Sequence, residues 1–216
     1  MKREDWDFLE LIKLEYLEFG DNRIKKIENL ETLSNLKRLF LGANQIRKIE
    51  GLETLTNLEE LSLPGNALTN VRGLETLVNL KKLSLAQNGI SKIDGFGQLV
   101  NMCTLDLNDN RIENIENVDQ ISGIDTLLIR KNQLNDWQQL YKLREIQNLK
   151  SLTMEMNPIY SSDYTYRNRM SQILPNILFL DGFPLGWRQG DPYQELPAKF
   201  YSNFDDFEQR EDVFVE

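Results

Sequence analysis

One motif, L-x-x-L-x-L-x-x-N-x-I, recurs along most of the chain. Seven copies fall into register, from "LEYLEFGDNRI" at the first to "LKSLTMEMNPI" at the last. Their asparagines are separated by 22 residues in five successive intervals and by 25 residues in the sixth: Asn22, Asn44, Asn66, Asn88, Asn110, Asn132 and Asn157. A fixed period of this length predicts a stack of similar coils, because a single copy does not bury its apolar edge alone.

Two apolar spacings alternate within each copy. In "LFL", Leu39 and Leu41 are two residues apart, which is the period of a strand whose alternate side chains face opposite ways. Ile46, Ile49 and Leu52 then recur every three residues, which suits a tight 3₁₀-like or irregular return turn. Each copy therefore predicts one short strand followed by a return segment.

This combination resembles the short, 22-residue class of leucine-rich repeat over about residues 11–183. The resemblance implies an α/β fold, a right-handed leucine-rich-repeat solenoid of seven repeats of 22–25 residues, with a parallel concave sheet and a C-terminal cap. We predict that the seven asparagines are structural. A buried side-chain amide both donates to and accepts from backbone groups of its own and adjacent coils, which satisfies groups that otherwise lack a partner.

The repeat boundaries divide the chain into four predicted parts. These are an N-terminal cap at 1–13, the seven repeats at 14–160, a C-terminal cap at 161–183 and an acidic aromatic tail at 184–216. Both ends of the stack need a cap, because the terminal coils would otherwise expose core. Trp6 and Phe8 are among the apolar residues expected to cover the first coil.

The segment "YRNRMSQILPNILFLDG" predicts the C-terminal cap. We expect a short helix that ends near Leu174 and Pro175, followed by Ile177 and Leu180. These apolar residues would then cover the last repeat, as in the caps of several intracellular leucine-rich-repeat families.

The sixth interval, with its three extra residues, predicts a longer α-helix on the convex side. Leu140, Leu143, Ile146 and Leu149 keep the apolar stripe there among good helix formers. Trp137 takes the position that isoleucine or valine holds in earlier copies. We therefore predict that it packs in the core rather than contacting a partner.

The tail leaves two interpretations open. Phe200, Phe204, Phe207 and Phe214 are four, three and seven residues apart, which places them along one helix face. The segment is then either a helix against the cap or a disordered stretch, or else it is a peptide that docks in a partner's groove. Residues 186–216 contain eight acids and three bases, which amounts to −5 of the net charge of −9.

Several kinds of chemistry are disfavoured by composition. The chain has no histidine and one cysteine, so a Ser-His-Asp triad, a histidine metal site and a cysteine-rich zinc site are all ruled out within it. We expect no cofactor and no enzymatic activity, and the acidic charge argues against direct nucleic-acid binding. The lone Cys103 and the absence of an apolar segment after the charged N-terminus predict an intracellular protein without a membrane anchor.

The residues between the core leucines are expected to point out of the concave sheet, and they supply the candidate contacts. These are Tyr16, Glu18, Arg38, Phe40, Glu60, Lys82, Asp106, Leu128 and Arg130. Phe40 beside Tyr16 and Arg38 is the strongest cluster, because aromatic and arginine residues dominate interface hot spots. Asp106 and Asp109 are candidates for contact with a basic patch. We predict a protein partner on this face and a chain that is monomeric on its own.

The runs "NRIKKIENLETLSNLKRLFLGANQI" and "LNDWQQLYKLREIQNLKSLTMEMNPI" resemble the leucine-rich-repeat regulatory subunits of type-1 protein Ser/Thr phosphatase. The resemblance implies a non-catalytic subunit that holds the phosphatase catalytic subunit on its concave face, in cytoplasm and nucleus. That family carries acidic and aromatic residues in its binding column, and Glu18, Phe40 and Asp106 match this pattern. Leu128 stands where the family has tryptophan, and Thr126 and Thr153 replace its flanking acidic and aromatic residues.

Two other families remain open as alternatives. "ILPNILFLDGFPL" is also similar to the leucine-rich light chain of axonemal outer-arm dynein, which implies a ciliary scaffold, and an extension beyond the cap suits that family. The spliceosomal leucine-rich protein that cradles an RNA-binding partner shares the cap but fits the repeats less well. In each case the expected role is an intracellular adaptor that binds protein.

Overall fold

The computed structural model describes residues 11–162 and 165–186. The predictions for Trp6, Phe8 and the tail phenylalanines lie outside the described residues. Within the described ranges, nine strands form one sheet in sequence order. They are β1 (Tyr16–Glu18), β2 (Arg38–Phe40), β3 (Glu60–Ser62), β4 (Lys82–Ser84), β5 (Thr104–Asp106), β6 (Thr126–Leu128), β7 (Ser151–Thr153), β8 (Phe179–Leu180) and β9 (Phe183–Pro184).

The strands pair so that equivalent positions of successive repeats are neighbours. Leu39 pairs with Leu61, and Leu61 pairs with Leu83, in parallel register. Strands β1 to β8 are parallel, and only β9 returns antiparallel to β8. A spacing of 22 residues brings each coil back to the same place one strand further on, and the predicted parallel-sheet solenoid is confirmed.

The core is a set of leucine and isoleucine columns between the sheet and the return segments. Leu39, Leu61, Leu83 and Leu105 are fully buried, and so is Phe96 on the return side. In the second half of the first coil, the backbone N–H of Leu33 donates to Leu30 O at 3.0 Å and that of Leu36 donates to Leu33 O at 2.9 Å. These contacts span three residues, as the predicted 3₁₀-like return turn requires.

The sixth return segment corrects the prediction of a longer α-helix. Helix α1 spans only Trp137–Leu140, and the chain continues as a 3₁₀ helix over Tyr141–Glu145. The apolar residues here recur every three positions, which matches the 3₁₀ period rather than the 3.6 of an α-helix. The fifth return segment contains a shorter 3₁₀ helix, Val118–Ile121.

Trp137 lies partly buried against the core, in agreement with the prediction that it packs there. Its ring centroid is 6.1 Å from that of Tyr166, and the Arg169 guanidinium lies 4.2 Å from the ring centroid on one face. The indole therefore joins the sixth repeat to the C-terminal cap.

The C-terminal cap has the predicted helix and apolar residues. After α2 (Pro158–Ser162), helix α3 spans Tyr166–Ile173, and strand β8 extends the sheet beyond the last repeat. Leu174, Ile177 and Leu180 are buried. Arg167 holds the following turn by donating to the carbonyl oxygens of Leu180 at 2.8 Å and of Pro184 at 2.6 Å. Across the described ranges, no helix has the length and apolar character of a membrane span.

Candidate functional site

The concave column that runs through Phe40 and Asp106 is not open to solvent along its whole length. Ser62, Ser84 and Asp106 are only 6%, 2% and 7% exposed, whereas Phe40 and Leu128 are half-buried. This corrects the expectation that every residue of the column projects into solvent. These three buried polar residues lie on the sheet between Phe40 and Leu128, and we call them the polar notch (Ser62, Ser84 and Asp106).

The aromatic end of the concave face comprises Tyr16, Arg38 and Phe40. The Tyr16 and Phe40 rings meet at a centroid distance of 5.3 Å with an interplanar angle of 39°. The Arg38 guanidinium carbon lies 5.2 Å from the Tyr16 ring centroid, and the Tyr16 hydroxyl donates to the Glu18 carboxylate. Four predicted contact residues thus lie together on β1 and β2, where aromatic and charged groups share one surface.

Asp106 is the ionisable group of the polar notch. Its Oδ2 accepts from Ser84 Oγ at 2.9 Å, and its Oδ1 accepts from the backbone N–H of Asn108 at 3.0 Å. Burial raises the pKa of the Asp106 carboxyl, while the Asn108 and Ser84 hydrogen bonds oppose that rise. The carboxylate therefore carries its charge against a desolvation penalty that two neutral donors offset only in part.

Replacing Asp106 by asparagine is expected to raise the melting temperature at pH 7 by about 2–4 °C, because it removes a buried charge and keeps both neighbours hydrogen-bonded. The folded pKa is raised, so the folded state binds the proton more tightly than the unfolded chain and the wild type recovers this stability as pH falls. The advantage of the variant should shrink as pH drops through the raised pKa toward the ordinary aspartate value. Melting curves of the wild type and the variant, recorded at pH 7 and at an acid pH near the ordinary aspartate pKa, measure the difference in melting temperature.

The matched control is Asp109→Asn. Asp109 pairs with Lys131 at 2.6 Å on the exposed rim, so its loss removes a weak surface ion pair and should leave stability nearly unchanged or slightly lower. An Asp106→Asn advantage of equal size at neutral and acid pH would contradict the buried-charge interpretation.

The remaining candidates lie along the same face. Glu60 and Lys82 are half-buried register neighbours on β3 and β4. Leu128 is the register neighbour of Asp106 on β6. Arg130 follows β6 and pairs with Glu155 at 3.1 Å, so its charge is already neutralised within the chain.

The seven asparagines form a hydrogen-bonded ladder at the ends of the strands. Asn110 is representative: its Nδ2 donates to the carbonyls of Leu85 at 2.9 Å, Leu107 at 3.1 Å and Asn108 at 3.1 Å. Its Oδ1 accepts from the N–H of Ile90 at 3.0 Å. Each ladder asparagine after the first thereby ties its own coil to the one before it.

A second asparagine ladder, which was not predicted from the sequence, also links neighbouring coils. Asn35, Asn57, Asn79 and Asn101 each donate to a carbonyl of the preceding coil, at 2.8–2.9 Å. The sequence contained the pattern that reveals them, since these asparagines also recur every 22 residues, just before each strand.

A groove of about 500 Å³ lies beside this second ladder. It is lined by Asn35, Asn57 and Asn79 and by the ion pairs Glu15–Lys37 at 2.9 Å and Glu59–Lys81 at 2.8 Å. Its charges compensate one another.

Comparison with known protein families agrees with this geometry. A model described as "Leucine-rich repeat" matches residues 83–185, and one described as "Leucine Rich repeats (2 copies)" matches residues 12–54 and 56–98. No curated protein sequence matches the chain significantly.

Several solved structures with similar folds are of proteins from Listeria monocytogenes and Leptospira interrogans. An internalin of Listeria monocytogenes superposes with a TM-score of 0.64 at 23% identity, covering 80% of this chain and 48% of its own. Internalin C2 of the same species gives 0.58 at 26% identity and covers 81% of each chain. A leucine-rich-repeat protein of Leptospira interrogans gives 0.64 at 26% identity, covering 77% of this chain and 42% of its own.

The first of these likenesses shows the fold alone, and this chain spans about half the length of that internalin. The two family models, taken together, run from the first strand to the cap and coincide with the stacked coils described above. The protein therefore belongs to the leucine-rich-repeat family.

Proposed function

We propose that this protein is a non-catalytic scaffold that binds a protein partner on its concave face, and that the partner is the catalytic subunit of a type-1 protein Ser/Thr phosphatase. The observation that carries the first part is the aromatic end, where Tyr16 and Phe40 pack at 5.3 Å with Arg38 over the Tyr16 ring. Aromatic and arginine side chains of this kind dominate interface hot spots.

The choice of partner rests on the sequence resemblance to the phosphatase regulatory subunits. Glu18, Phe40 and Asp106 stand at positions where that family carries acidic and aromatic residues, and they occupy a single column of the sheet. The same resemblance implies a location in cytoplasm and nucleus, and we propose this location for the complex.

The direct test is binding of the purified type-1 catalytic subunit to the full chain. Phe40→Ala is expected to weaken the affinity at least about tenfold, because it removes the ring at the centre of the aromatic end. Val100→Ala is the control, since Val100 is a 74% exposed apolar residue outside the sheet. Melting curves of each variant check that the fold is intact.

The two binding results test the identity of the partner and the location of the contact surface separately. If the wild type does not bind the phosphatase, the partner is wrong. If it binds and Phe40→Ala binds equally well, the aromatic end is not the contact surface.

A ciliary scaffold is the second candidate, favoured by the extension of the sequence beyond the cap from residue 184 to 216. In this role the same concave face would hold an axonemal component. A tagged copy lining the axoneme would favour this role, whereas its absence from cilia in a ciliated source organism would reject it.

A further inference from the structure

Among the residues that the structure describes, Asp106 is a buried acid without a counter-charge. It is 7% exposed, and both of its hydrogen-bond donors, the Ser84 hydroxyl and the Asn108 N–H, are neutral. The ion pairs of the described residues involve other carboxylates, and no lysine or arginine in this part of the chain lies within ion-pair distance of Asp106. Burying a charge without a counter-charge is unfavourable, so such a group is commonly paired.

The counter-charge has to come from the concave side. Leu105 on β5 and Leu107 just after the strand are buried in the core, so Asp106 between them faces the other way, into the polar notch. Its register neighbours are the small Ser84 on one side and the half-buried Leu128 on the other.

We propose that Asp106 is the receptor for an arginine side chain of the bound protein, with the apolar stem of that arginine lying against Leu128. This proposal rests on the proposed function, because it assumes a partner on the concave face.

Arginine fits the notch better than lysine does. An ionised carboxylate has about four acceptor positions, and Asp106 uses two of them within the chain. A planar guanidinium presents five donors and is less strongly hydrated than an ammonium, so it enters a nearly dry site at a smaller desolvation penalty. Its three methylene groups contact an apolar neighbour such as Leu128 while the head group reaches the acid.

The test uses three pools of short peptides that differ only at the central residue, which is arginine, its neutral isostere citrulline, or glutamate. The flanking positions of each pool are an equal mixture of Ala, Leu, Phe and Ser. Binding to the full chain is measured by fluorescence anisotropy. The wild type is expected to bind the arginine pool about tenfold more tightly than the citrulline pool, the ratio expected of one charge-assisted hydrogen bond.

Asp106→Asn is expected to abolish this preference, because it keeps the shape of the notch and removes the charge. Asp119→Asn makes the same change in net charge at an exposed residue of the 3₁₀ helix Val118–Ile121, outside the sheet, and should leave the preference intact, which excludes a general electrostatic effect. An additional pool with central lysine should bind more weakly than the arginine pool.

Three outcomes overturn the proposal. They are equal binding of the arginine and citrulline pools, failure of the arginine pool to bind at all, and an arginine preference that persists in Asp106→Asn. None of these outcomes changes the result of the phosphatase-binding test, which uses the Phe40→Ala variant. Failure of this proposal is therefore distinguishable from failure of the proposed function.

Discussion

Replacing Asn110 by alanine is expected to lower the free energy of unfolding by about 3–5 kcal/mol, which is a large fraction of the stability of an ordinary domain. The amide serves three carbonyls and one N–H in two adjacent coils, and Asn110 is 7% exposed. Alanine leaves these four backbone groups without the amide partner, in a place that water reaches poorly. Denaturant unfolding followed by circular dichroism measures the loss.

The same substitution at the start of the ladder is the control. Asn22 is exposed and donates only to the carbonyls of Phe19 at 3.2 Å and Gly20 at 2.7 Å, both in its own coil. Water replaces these contacts, so Asn22→Ala should change stability by about 0.5 kcal/mol or less. If Asn110→Ala is no more damaging than Asn22→Ala, the ladder does not hold the coils together.

Gly95→Ala is expected to destabilise the chain by about 3 kcal/mol or more, through two effects that add. Gly95 has a φ of 90°, in the left-handed region that a Cβ disfavours. An added Cβ would lie 2.0 Å from the carbonyl oxygen of Val71 and 2.9 Å from its carbon, both of which are backbone atoms of the preceding coil. Either the two coils separate or the turn changes conformation, and both disturb the stacking of neighbouring repeats.

Gly97→Ala supplies a control two residues away. There the new Cβ meets only the Gln120 side chain, at 3.7 Å, which is an ordinary van der Waals distance. The melting temperature of this variant should stay close to that of the wild type, whereas Gly95→Ala should melt well below it. Similar melting temperatures for the two variants would show that the turn at Gly95 adapts without strain.

Asn117 stands at the position equivalent to Gly95 one coil later, and it is also left-handed, with a φ of 52°. Its side chain donates to the carbonyl of Ile93 at 2.9 Å. The 3₁₀ helix Val118–Ile121 follows immediately, so the backbone path of this return segment differs from that of the plainer coil before it. Asn29 stands at the same position in the first coil and is also left-handed, with a φ of 63°, so a side chain is accommodated at this position in the first and fifth coils.

The repeat determined the fold because its information is redundant. The asparagines and core leucines have equivalents 22 residues away, or 25 across the last interval, and a period that long leaves parallel, in-register stacking as the way to bury all the apolar columns at once. The cap was predictable for a related reason. The last coil needs a cover, and "SQILPNILFLDG" supplies buried apolar residues at Ile173, Leu174, Ile177 and Leu180.

The return segments were less predictable, because short apolar periods of three and of 3.6 residues differ little over a single turn. The residues that follow Trp137 have good helix propensity, yet only three of them, together with Trp137 itself, form an α-helix. The dense packing of Leu140, Leu143 and Ile146 against the neighbouring coils outweighs that preference.

The candidate site, like the fold, was predictable from the sequence in part. The alternation of strand residues assigned Tyr16, Arg38, Phe40 and Asp106 to the concave face from sequence alone, because the period of two leaves no other face for them. How deep each one lies depended on the size of the side chains around it. Only the tertiary structure decided that Phe40 meets Tyr16 while Asp106 is nearly sealed, since depth on a sheet is set by neighbours that are distant in sequence.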